Sequence, residues 1–161
     1  MPAPGENVPL GSAAVAWLKR DALLFAVSIG NGTDELNFVF VVLYVYRGVQ
    51  RCWPFILTTA FKLTDQEVVD FSSRFTPPVI PSVPKLNPDN IIDGGRTMTS
   101  YRQIPTSSAG RRFELRSRLV GVYDKGKLGS IIEDEKILVD AASGEEYVKA
   151  VGNTFYLGQG N

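Results

Sequence analysis

The run FAVSIGNGTDELNF (residues 25–38) carries an apolar, helix-like pattern into Gly30 and Gly32 and then into the carboxylates Asp34 and Glu35. A glycine-broken helix end with acidic residues is a place where a proton-handling group could stand. The chain, however, contains no histidine. That removes Ser-His-Asp triads, histidine-ligated metals and imidazole general bases. Cys52 is the single cysteine; without a histidine to activate it, it reads as a buried thiol, and it forms no internal disulfide. GNGTDE begins like a dinucleotide-binding G-x-G, but Glu35 stands where the third glycine belongs and no strand precedes it. IIEDEK (131–136) offers Glu133, Asp134 and Glu135 in a row. On a strand neighbours point to opposite faces, so the three do not form one paired site, and a solvated strand face is the plainer reading. In VYDKGKLG, Lys125 occupies a turn from which an ammonium could hold a phosphate; taken alone, an ordinary turn lysine is the plainer reading.

The elements that must position these residues fall into two halves. Residues 1–11 hold three prolines and two glycines and read as a flexible arm; a single domain is expected over 12–161. Ser12 is a plausible N-cap for a helix reaching Ile29, with Leu18, Ala22, Phe25, Ala26 and Ile29 on one face and Gly30 as its C-cap. Thr64 and Glu67 in LTDQEVVDFSS form a T-x-x-E capping box at the start of a second helix. Five prolines between Thr76 and Pro88 dictate an extended loop. Beyond Asp93 four stretches read as strands: RTMTSYRQI, RRFELRSRLVGVYD, GSIIEDEKILVD and EYVKAVGNTFYLG. Phe113, Leu115, Leu119 and Tyr123 share one parity and so one face, while DKGK and DAASGE supply turns. Helices followed by a sequential antiparallel meander predict an α+β domain.

Totals narrow the field further. The 161 residues are 44% hydrophobic and 21% charged, with 17 basic and 17 acidic side chains. That is the profile of a soluble globular domain with no basic excess for nucleic acid. The most apolar run, Phe38 to Tyr46, is far short of the ~20 residues a membrane helix needs. The N-terminus lacks a secretion signal's pattern, so an intracellular, cytoplasmic protein is expected.

Four stretches together resemble the MaoC-like dehydratases, in particular the N-terminal half of the double hot-dog (R)-specific enoyl-CoA hydratases. They are RDALLFAVSIGNGTDELNFVF, DGGRTMTSYRQIPT, LVGVYDKGKLGSIIEDE and YVKAVGNTFYLGQGN, spanning Arg20 to Asn161. The resemblance implies a hot-dog fold, in which a curved antiparallel sheet partly wraps a short helix, expected here at about residues 53–61. It implies water addition to a trans-2-enoyl-CoA, catalysed in the second half by an S-G-D-x-N-P-L-H motif. Laid over this chain, that motif puts Ile29-Gly30 on S-G, Asn31 on the aspartate, Thr33 on the asparagine and Leu36 on the histidine. Both proton-handling groups are replaced, so no catalytic residue is expected here.

The first half of such enzymes binds the acyl chain, and the resemblance assigns substrate contacts to Asp93, Gly94 and Lys125. Asp93 departs from the family's histidine, and a carboxylate is a poor neighbour for CoA phosphates. No cofactor is implied. The implied partners are an acyl-CoA and either a second copy or a catalytic hot-dog half, and the implied location is the peroxisome, although the chain bears no C-terminal S-K-L. The alternatives are a non-catalytic acyl-CoA-binding or scaffolding subunit and an inactive remnant.

Overall fold

Alternating apolar residues bounded by turn sequences form strands wherever one face can be buried, and the described residues form five. In a computed structural model, residues 7–21, 24, 62–67, 80, 83–87 and 90–160 are described. The strands are β1 (Val8–Val15), β2 (Ile91–Ser100), β3 (Phe113–Asp124), β4 (Gly129–Asp140) and β5 (Glu146–Leu157). They make one open antiparallel sheet in the order β1-β3-β4-β5-β2. Each of the four ladders carries a register shift; such shifts bend a strand and increase its twist. The α+β, hot-dog-like class expected from the sequence holds. The expected central helix at 53–61 lies outside the described residues.

Three expectations are corrected. Strands β3, β4 and β5 do form a meander, but β2 joins the sheet beside β5 instead of β3. The chain leaving β2 is already tied to β5, because the N–H groups of Tyr101 and Arg102 both donate to the Tyr147 carbonyl at 2.9 and 3.2 Å. From there residues 103–112 cross the end of the sheet to reach β3. Secondly, Val8–Val15 is a strand where a flexible arm ending at residue 11 and a helix starting at Ser12 were expected. A bulge between Pro9 and Gly11 breaks the alternation, which hides the strand from a simple period count. Helical residues begin only at 19–21, where Asp21 Oδ2 accepts the Leu18 N–H at 2.7 Å and caps the start. Thirdly, Tyr123 does not share a face with Leu119. The shift between Leu119 and Gly121 turns it to the opposite side, where it is 46% exposed and its hydroxyl donates to Glu133 Oε2 at 2.9 Å.

Two apolar clusters cover one face. At one end Val15, Trp17, Ile104, Phe113, Leu115, Leu138, Tyr147 and Val148 pack together; Trp17 and Tyr147 both lie against the Phe113 ring, with centroids 4.8 and 5.3 Å away. The crossing segment closes this end. Ser108, 1% exposed, receives the Trp17 N–H on its Oγ at 2.9 Å, and Trp17 Nε1 donates to the Pro105 carbonyl at 3.0 Å. Lys62, also buried, meets Asp21 Oδ2 at 2.7 Å and so ties the described part of the 62–67 segment to the helix start. Thr64 Oγ1 accepts the Glu67 N–H at 3.3 Å, one of the two bonds of the expected capping box; the helix expected beyond Glu67 lies outside the described residues.

At the other end Leu119, Ile132 and Ile80 form a second cluster, joined by Val8, Val83, Leu86, Val122 and Tyr156. The proline-rich loop thus docks on the sheet through Val83 and Leu86. Leu119 is 0% exposed at the centre of that cluster. Leu119→Ala should cost about 2–5 kcal/mol, the transfer and cavity terms together, read as a lowered denaturant midpoint at unchanged slope.

Candidate functional site

A four-strand alignment gathers the expected contacts at one end of the sheet. The row Asp124–Ser130–Tyr156–Ile91 runs across β3, β4, β5 and β2, so the end of β3, its turn, the end of β5 and the start of β2 lie side by side. The turn is stiffened locally. Asp124 Oδ1 accepts the Gly126 N–H at 2.8 Å, Lys125 N–H donates to the Gly129 carbonyl at 2.8 Å, and Gly126–Leu128 form a single 3-10 turn. Lys125 precedes that turn with its side chain exposed.

Asp93 and Gly94 sit at the bulge of β2, where the register with β5 shifts between Asp93 and Gly95. The Asp93 carboxylate turns back on its own strand, accepting the Gly95 N–H at 3.2 Å and lying 3.7 Å from Arg96 Nη2. It is 65% exposed. A Cβ at Gly94 would stand 3.1 Å from the Asn153 carbonyl oxygen, tighter than ordinary contact. Asp93 lies in the row Thr154–Ile132–Val122, with β5 and β4 between it and the Lys125 turn. At about 4.8 Å per strand the separation is roughly 10–15 Å. Lys125 and the Asp93-Gly94 pair therefore share one end of the sheet without touching. The loop at 29–36 and Cys52 lie outside the described residues.

The three acidic residues of β4 divide by face, as alternation requires, but they are not equally solvated. Asp134 faces Lys136 at 3.5 Å and Glu133 takes the Tyr123 hydroxyl. Glu135 is 3% exposed, with Arg118 Nε from β3 at 2.7 Å and Lys149 Nζ from β5 at 2.6 Å. The expectation of a solvated face fails at this one position. The Arg118 guanidinium holds the Glu135 carboxyl below the usual carboxylate range against burial, which pushes it up; the Lys149 ammonium adds to the lowering. Sequence reading missed this group because Arg118 and Lys149 become its neighbours only through strand register. The three line a shallow groove of about 660 Å³ with Tyr101, Arg116 and Glu146. Their charges are spent on one another, which makes the groove a structural feature. Among the described residues no group of three or more metal-ligating side chains comes together, and no helix is long and apolar enough to cross a membrane.

With this geometry in view, the relatives can be placed. No family model matches the chain. A probable dehydratase from Ajellomyces capsulatus is 37% identical over 160 residues, covering 98% of this chain and 41% of its own. A MaoC-like dehydratase from Phytophthora capsici superposes with a TM-score of 0.70 at 24% identity, over 98% of this chain and 48% of that one. The full-length peroxisomal multifunctional enzyme type 2 from Drosophila melanogaster gives 0.60 at 16% identity, over 91% and 23%. The truncated HadBC 3R-hydroxyacyl-ACP dehydratase complex from Mycobacterium tuberculosis gives 0.55 at 10%, over 96% and 98%. The fold is that of the MaoC-like dehydratases. It spans less than half the length of the curated relative.

Glu135 gives a pH prediction. A carboxyl held below its unfolded value of about 4.3 contributes stability that is complete above that pH. The contribution disappears as pH falls through the lower folded value. Glu135→Gln should lower stability by about 1–3 kcal/mol at neutral pH, toward the low end because Arg118 and Lys149 remain 44% and 32% exposed. Once pH has fallen below that lowered folded value the two proteins should converge in chemical denaturation, since the wild-type carboxyl is then protonated as well.

Proposed function

We propose that this chain is the acyl-chain-binding half of an (R)-specific enoyl-CoA hydratase acting on trans-2-enoyl-CoA and 3-hydroxyacyl-CoA, with the acid/base chemistry supplied by another hot-dog half. One observation carries this reading: a chain that aligns over nearly its whole length with a probable dehydratase contains no histidine. Asn31 and Leu36 stand where the family motif has its aspartate and histidine; an amide does not titrate and an alkyl side chain takes no proton. The turn lysine Lys125 is the cation offered to a CoA phosphate, with Gly94 supplying backbone close to the acyl-CoA. Asp93, turned onto Arg96 and Gly95, leaves only its backbone for that purpose.

The pairing partner is a second hot-dog domain, either another copy of this chain or a catalytic half. The strand β2 supports this, since all but one of its ten residues are exposed along an edge with no neighbouring strand among the described residues, and an unpaired edge favours association. The HadBC relative is itself a complex. A peroxisomal location is proposed from the family resemblance and from the peroxisomal enzyme among the fold relatives. The histidine-free composition equally suits a non-catalytic acyl-CoA-binding subunit, and the assays below separate the two by adding a catalytic half.

Assayed alone with crotonyl-CoA, the chain should show no hydration above background. Turnover that disappears in Asp34→Ala or Glu35→Ala would place a catalytic site in the acidic turn and refute the assignment. In calorimetry the chain should bind trans-2-decenoyl-CoA, and Lys125→Ala should weaken that binding by roughly fivefold, about 1 kcal/mol for an exposed charge contact, with thermal stability unchanged. Mixing with a catalytic hot-dog half should restore hydration if the chain is half of an enzyme, and leave it absent if the chain is a binding subunit.

A further inference from the structure

The residues that follow β5 do more than finish it. Beyond Leu157 the backbone folds over the Lys125 turn: Gly158 N–H donates to the Leu128 carbonyl at 2.9 Å, and Ser130 Oγ donates to the Gln159 carbonyl at 2.8 Å. Gly160 then passes so close to the turn that a Cβ there would collide with the Gly126 carbonyl oxygen and stand 2.7 Å from both Asp124 Oδ1 and the Gly129 carbonyl oxygen. These atoms are the ones that hold Lys125: Asp124 Oδ1 receives the Gly126 N–H, and the Gly129 carbonyl receives the Lys125 N–H.

The residue between the two glycines faces the other way. Gln159 Oε1 accepts the Asn87 N–H at 2.5 Å, and Gln159 Nε2 donates to the Asn87 carbonyl at 3.0 Å. One side-chain amide thus satisfies both backbone groups of a residue in the proline-rich loop, as a neighbouring strand would. A carboxylate could accept the first bond but has no proton for the second. The loop beside Asn87 is anchored by Leu86 in the second apolar cluster, so Gln159 couples a docked loop to the tail, and the tail to the lysine turn.

We propose that Gly158–Gly160 is a positioning strap for Lys125: Gly160 sets how the turn sits, and Gln159 latches the strap to the proline-rich loop. Neither residue need touch the ligand. The strap itself stands on its hydrogen bonds; its effect on ligand rests on the acyl-CoA reading given above. Strap and lysine then act as one unit, and unit behaviour is measured by non-additivity.

The test is a double-mutant cycle on the full chain with trans-2-decenoyl-CoA as probe, alongside limited trypsin digestion. Gly160→Ala should weaken binding about as much as Lys125→Ala, and the double variant should be no weaker than either single one. A purely structural role would instead lower stability while the folded fraction bound normally. Wild-type affinity in Gly160→Ala, or losses in the double variant that multiply, overturns the proposal. Gln159→Glu provides a gentler change should Gly160→Ala fold poorly, and it should weaken binding in the same non-additive way. Trypsin should cleave after Lys85, Lys125 and Lys127 severalfold faster in Gln159→Glu than in wild type, and equal cleavage at all three overturns the strap. If Lys125→Ala binds as wild type does, the acyl-CoA assignment fails, while the digestion still decides the strap.

Discussion

A buried carboxylate fixes the alignment on which the other contacts depend. Glu135 on β4 is excluded from water and meets one cation from each neighbouring strand. Moving β4 by one residue against β3 or β5 would carry Glu135 onto the face where Ile132 and Leu138 pack, and would bring those apolar side chains out. An uncompensated charge there would be costly. The pair energies are modest because Arg118 and Lys149 keep solvent contact; the penalty for every alternative register is not. The three-strand unit so fixed carries both apolar clusters, the Lys125 turn and the docking edges for β1 and β2.

The two ends of that unit are finished by different means. One is sealed by the segment crossing from β2 to β3, where Trp17, Ser108 and the Phe113 ring interlock through apolar contact and backbone hydrogen bonds. The other end packs a smaller cluster around Leu119, leaves Leu128, Leu157, Ile91 and Ile92 exposed, and adds polar links among the turn, residues 158–160 and the proline-rich loop. Burial dominates at one end, and at the other a smaller apolar cluster is supplemented by hydrogen bonds around the exposed Lys125 turn.

Much of the sheet was legible from the sequence. β3, β4 and β5 read as strands between turn sequences, and DKGK and DAASGE turn where their glycines and Asp residues suggest; Asp140 Oδ1 takes the N–H groups of Ala142 and Ser143 at 2.9 and 3.3 Å. What failed to show had nonlocal causes. The bulge in β1 interrupts its alternation, and its alanines read equally well as helix. Tyr123 keeps the parity of Leu119 in sequence but loses it in space because Val120 is an extra residue in the ladder. The position of β2 depends on a crossing whose anchors, Tyr147 and Trp17, are distant in sequence. The turn around Lys125 was legible, whereas the strap was not: no local pattern announces that Gly160 will pass against Gly126.

The strand order also imposes a sequence of events on a chain made from its N-terminus. β3–β4 and β4–β5 are joined by residues 125–128 and 141–145, so these hairpins close over short distances and early. Among the described strands β1 has no partner until β3 has been made, and β2 none until β5. Closing those two ladders costs more chain entropy than forming either hairpin. During synthesis the two strands that end up as edges are thus also the two that wait longest, and β2 waits while the rest of the sheet is assembled beside it.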